Sequence, residues 1–152
     1  MILRRGVFGL VLVLEVLVAA CYSDRPEPAD AEVPAAGLHI RITRVATHPF
    51  LSRYNLTLRV ERPGGCVATA DLFPDTGYTG RRNLYRHVSG AVAVVGQYDV
   101  RVIEAGGCAI RLIEFRAWDR QAEFIGSFDV GADKRWRFIP PTVRPELPFE
   151  TL

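Results

Sequence analysis

The chain has 152 residues, 49% of them hydrophobic and 24% charged, with a formal net charge of +2. That length holds one ordinary domain with short flanking segments. Three cysteines and three histidines, scattered as Cys21, Cys66, Cys108, His39, His48 and His87, exclude a tightly spaced metal-ligand cluster.

The first element is Met1-Ile2-Leu3-Arg4-Arg5 followed by an almost wholly apolar run from Gly6 to Ala20. A basic start and a short hydrophobic stretch are the pattern of an export signal. Fifteen helical residues span only about 22 Å, short of a bilayer core of roughly 30 Å, so a permanent membrane helix is the weaker reading. Glu15 interrupts the run, and a carboxylate there costs roughly 2.5–3.5 kcal/mol on insertion. The run ends in small residues, and Val18-Ala19-Ala20-Cys21 resembles the lipobox of bacterial lipoproteins. That resemblance is confined to the N-terminus. It implies cleavage of residues 1–20 as a signal peptide, diacylglycerol on the Cys21 thiol, acylation (palmitate or its like) of the new amino group, and anchoring to the membrane. By analogy within lipoproteins, Tyr22 rather than Asp after the cysteine points to the outer membrane, on its periplasmic face, of a cell that has one.

Residues 21–37 read as a flexible linker, because Pro26, Pro28 and Pro34 alternate with alanine and acidic residues. Such a tether extends to some 40 Å. It carries Asp24, Glu27, Asp30 and Glu32 against Arg25, or 1 − 4 = −3. Residues 38–139 carry 15 Lys and Arg against 10 Asp and Glu, or +5.

From Leu38 the hydrophobic period becomes two. Leu38, Ile40 and Ile42 alternate with polar residues; so do Tyr54, Leu56, Leu58 and Val60, and then Tyr98, Val100 and Val102. This is the pattern of strands with one buried face. The expected domain, residues 38–139, is an all-β sandwich of about seven to nine strands, like an immunoglobulin or transthyretin domain in size. Residues 55–73 and 97–115 repeat at an offset of 42: Arg59-Val60 matches Arg101-Val102, and Gly64-Gly65-Cys66 matches Gly106-Gly107-Cys108. Each repeat predicts a hairpin around its glycine pair, with the cysteine on the apolar phase of the second strand. A disulfide Cys66–Cys108 is expected, joining the hairpins through the core near an approximate two-fold axis. Strands are also expected at Leu84–Val88, Ala91–Val95, Glu123–Val130 and Lys134–Ile139, and an extended proline-rich tail at 140–152.

Catalytic chemistry is hard to assemble. Ser52, Ser89 and Ser127 lack a nucleophile-elbow context, and Asp119 with Glu123 shows no glycosidase or EF-hand spacing. The expectation is a non-enzyme without metal or cofactor and without a nucleic-acid partner. The connection between the hairpins gathers Tyr78, Arg81, Arg82, Tyr85 and Arg86, residue types enriched at interfaces. These are the candidate partner-binding residues. Trp136-Arg137-Phe138 with the tail is a second candidate, although Trp136 and Phe138 share a face suited to core packing. The functional expectation is a lipid-anchored envelope binding or assembly factor that docks a protein partner; the alternative is a module for glycan or an acidic ligand.

Overall fold

A computed structural model describes residues 25–114 and 121–149. Among the described residues, ten strands form two antiparallel sheets. The four-stranded sheet has the order β1 (Glu27–Val33), β2 (Leu38–Ala46), β3 (Tyr54–Glu61), β4 (Val67–Asp75). The six-stranded sheet has the order β10 (Trp136–Ile139), β9 (Glu123–Val130), β5 (Arg82–Arg86), β6 (Val92–Val95), β7 (Val100–Ile103), β8 (Ile110–Ile113). The domain is the all-β sandwich that the period-two runs predict.

The core lies between the sheets. Ile40, Ile42, Leu58 and Val60 from one sheet meet Leu84, Val92, Val94, Ile103 and Phe128 from the other, all essentially inaccessible to solvent. Burying side chains of this size contributes about 1.5–3 kcal/mol each. Trp136 crosses between the layers and donates its Nε1–H to the Ile42 carbonyl at 3.0 Å. Phe138 packs on Phe128 with ring centroids 5.2 Å apart, so this pair serves the core rather than a partner.

Four expectations are corrected. The segment 21–37 is not all linker: Glu27–Val33 is β1, paired with β2 from Glu27↔Arg44 to Val33↔Leu38. Ala29, Ala31 and Val33 fill the inner phase, and their small size hides the alternation. Pro28 is tolerated because β1 is an edge strand, where a missing N–H breaks no ladder. A 3-10 turn, Pro34–Ala36, then leads through Gly37 in the left-handed region (φ 61°) into β2.

Second, the tail does not extend freely. Val143 and Arg144 N–H close a turn on the Pro140 carbonyl, and the chain then lies across the outer face of the six-stranded sheet. Phe149 covers a second apolar cluster there, with Tyr85, Ala93, Val95 and Val100 at its centre.

Third, Cys66–Cys108 forms, with Cα atoms 5.8 Å apart, but at one end of the sandwich rather than through its middle. Cys108 is buried and Cys66 exposed. The repeats are hairpins β3–β4 and β7–β8, with Gly64 and Gly106 at matching positive φ of 70° and 75°. Their registers differ by one residue: Glu61 pairs with Val67, but Ile103 pairs with Ile110. The extra residue in the second turn breaks the symmetry at the cysteines. Fourth, Tyr98 belongs to the turn before β7, which starts only at Val100.

Candidate functional site

The five residues expected on one binding loop do not all share a surface, although Tyr78 and Arg81 line one recess with Gln97, Pro148 and Phe149. The connection is only 76–81, and Arg82, Tyr85 and Arg86 belong to β5, an interior strand of the six-stranded sheet. Tyr78 is 77% exposed. Arg81 is half-buried, its guanidinium 4.6 Å from the Phe149 ring centroid and bonded to the Pro148 carbonyl. Tyr85 is buried under the tail, where its hydroxyl donates to Glu146 at 2.6 Å. Burial, then that carboxylate, pushes its pKa well up. Arg86 pairs with Glu123 at 2.5 Å. Asp119 lies outside the described residues. Partner binding through Arg82 and Tyr85 is therefore corrected: both hold the fold together.

Arg82 is 2% exposed and belongs to a charged clamp between the sheets. It donates to the carbonyls of Phe73 (2.5 Å) and Arg81 (3.0 Å), and its Nη2 stands 3.6 Å from Asp99 Oδ1. Asp99, equally buried, accepts the Phe73 N–H at 3.1 Å. Arg101 reaches the Asp71 carbonyl at 2.8 Å. Backbone groups that edge strand β4 would expose are thus taken by side chains of the other sheet, which blunts the edge. Gly96 is required for this seating, since a Cβ there would lie 2.6 Å from Asp99 Oδ1 and 2.8 Å from Arg82 Cζ.

The clamp and the disulfide fasten β4 at its two ends, and the seam between them is mixed, since on the outer phase of β4 the exposed Thr69 and Asp71 stand between Val67 and Phe73. Val67 follows Cys66, Leu112 pairs with Arg101, and Phe73 and Tyr98 flank the clamp. They are 43–51% exposed. Leu112 shares a face with Ile110, which packs on the core. It is left uncovered because β8, the last strand of the wider sheet, has only slight contact with β4.

At the end away from the disulfide, the loops 47–53, 76–81 and 131–135 surround a mouth of about 320 Å³. Arg44, Tyr54, Tyr78, Asp129, Lys134 and Trp136 are among its lining residues. Arg44 occupies the inner phase of β2, after Ile40 and Ile42. Its guanidinium lies 4.4 Å from the Tyr54 ring centroid and 5.2 Å from that of Trp136, and it bonds Glu27 at 2.7 Å. A stacked, ion-paired arginine is a fixed cation suited to a carboxylate or a hydroxyl-rich ligand.

Among the described residues, His39 and His87 bond to near neighbours in the fold. His87 Nδ1 meets Ser89 Oγ at 2.8 Å but also accepts the Ser89 N–H, which makes the pair a turn cap. His39 bridges Asp30 and Glu32 on the outer face of the four-stranded sheet. No three His, Cys, Asp or Glu converge for a metal among the described residues.

No family model, curated protein or solved structure matches the chain. The surfaces above therefore carry the functional reading. Arg44 and Asp99 were missed at the level of sequence. Arg44 had a signal, an arginine on the apolar phase of a strand; Asp99 had none, because its partner Phe73 is 26 residues away.

Proposed function

We propose that the protein is an envelope lipoprotein, anchored through Cys21, whose β domain docks a protein partner along the β4–β8 seam. The observation that carries this reading is the seam itself. Four large apolar or aromatic side chains, Val67, Phe73, Tyr98 and Leu112, stay exposed along one side held rigid by a disulfide and a buried ion pair. Four such side chains on the neighbouring edges of β4 and β8 and the turn before β7, interleaved with Thr69 and Asp71, match the mixed apolar and polar make-up of a docking interface. The seam replaces Arg81, Arg82 and Tyr85 as the contact surface.

Crosslinking the full-length protein in its native membranes tests this. One envelope protein is expected at near-equal stoichiometry. Val67→Asp and Leu112→Asp should remove that species while shifting stability by no more than about 0.5 kcal/mol, as exposed substitutions do. Survival of the species in both variants would exclude the seam.

The Arg44 mouth favours a second reading, a module for glycan or an acidic ligand. It predicts saturable, salt-sensitive binding to peptidoglycan or lipopolysaccharide that Arg44→Met abolishes.

A further inference from the structure

The geometry points to the bilayer surface as the occupant of the loop end, with Phe50 and Leu51 inserted among the lipids to which Cys21 is attached. This orientation rests on the Cys21 anchor proposed above.

The first support is the length of chain before the domain. With β1 beginning at Glu27, the step from Cys21 is 27 − 21 = 6 residues. Fully stretched at about 3.3–3.6 Å per residue, that reaches about 20–22 Å, against roughly 53–58 Å for the 37 − 21 = 16 residues to Gly37. The second support is where this short tether enters. Glu27 sits opposite Arg44 in the ladder, two residues before β2 ends at Ala46. The tether and the loop 47–53 therefore leave the same end of the sandwich, and that end must face the anchor.

The third support is the build of that loop. Thr47 N–H bonds the Arg53 carbonyl at 2.9 Å and closes its base. The His48 ring nitrogen Nδ1 accepts the N–H groups of both Phe50 and Leu51 at 3.1 Å. The result is an ordered knuckle with Phe50 76% and Leu51 47% exposed. These side chains pack no core, yet the backbone beneath them is pinned. Tyr78, 77% exposed, is on the next loop, where Gly77 lies near the Ser52 carbonyl. Arg53, Lys134 and Arg135 are exposed at the same end. Exposed aromatic and aliphatic tips beside cations, here with Asp133 pairing Arg135 among them, are the chemistry of the membrane–water interface. The β4–β8 seam then lies on the side of the domain, open to a partner.

The test uses the full-length protein in phospholipid vesicles, with a photoreactive diazirine side chain in place of Phe50. A second preparation carries it in place of Val88, 93% exposed in the β5–β6 turn at the opposite end. Irradiation should add the mass of one phospholipid to the peptide holding position 50 and nothing to the peptide holding 88. In the same digest, the mass of the peptide starting at Cys21 reports the anchor. A lipidated Cys21 with no phospholipid at 50, or with equal labelling at 50 and 88, overturns the orientation and leaves the anchor standing. An unmodified Cys21 overturns the anchor, and the orientation falls with it.

Discussion

At the scale of single residues, the arginines divide by what surrounds them rather than by their order in sequence. Burial pushes the Arg82 guanidinium down, with Asp99 and then Asp75 opposing. Removing one member of a buried pair strands the other, which costs about 3–5 kcal/mol. Arg82→Met should lower the urea unfolding free energy by that amount, whereas Arg86→Ala, at a partly exposed ion pair, should cost no more than about 1 kcal/mol. Equal effects would contradict the clamp. His39 carries a pH prediction. The Glu32 hydrogen bond, against burial and with Asp30 assisting, raises its pKa above the ordinary 6.5. A raised histidine contributes stability that is full below the unfolded value and lost as pH rises through the folded one. Asp30 runs the other way: burial alone would raise it, but Arg41 and then His39 hold it below 3.8, so its contribution fades in acid. The urea midpoint should therefore decline as pH rises above the ordinary histidine value of about 6.5, and His39→Gln should flatten that decline. An unchanged slope would remove His39 from the account.

At the scale of elements, what was legible depended on side-chain size. Strands β2 and β3 announce themselves through Leu38, Ile40, Ile42, Leu56, Leu58 and Val60, large residues at strict period two. Strand β1 carries the same period in Ala29, Ala31 and Val33, but alanine and two flanking prolines give it the composition of a linker. The repeat correctly located two hairpins and their disulfide, yet a one-residue difference between turns decides which cysteine is buried, and no spacing shows that. Strand β5 defeats the loop reading for a related reason: it alternates Arg82, Leu84 and Arg86 with Asn83 and Tyr85, and Arg82, Asn83 and Tyr85 are buried because a distant strand and the tail cover them while Arg86 stays partly exposed. Two measurements address these elements. Replacing both Cys66 and Cys108 with alanine should cost about 4 kcal/mol in the chain-entropy model, read as a loss in unfolding free energy. Phe149→Ala should lower stability by about 1 kcal/mol and increase binding of a hydrophobic dye, because the cluster around Tyr85 loses its cover. A silent Phe149 variant would mean that the tail does not hold this face.

At the scale of the whole molecule, three sides acquire distinct roles. The loop end carries the start of β1, the knuckle of Phe50 and Leu51, and the Arg44 mouth; the β4–β8 side carries the seam; the tail lies over the outer face of the six-stranded sheet. Among the described residues no helix is long and apolar enough to cross a membrane. In the proposed reading attachment is through Cys21. Every functional proposal above assumes that anchor. The most direct measurement is the mass of the N-terminal peptide of protein purified from its native membranes. The account predicts a peptide beginning at Cys21 and heavier by a diacylglycerol and an acyl group. A peptide beginning elsewhere, or a Cys21 of unmodified mass, would contradict it.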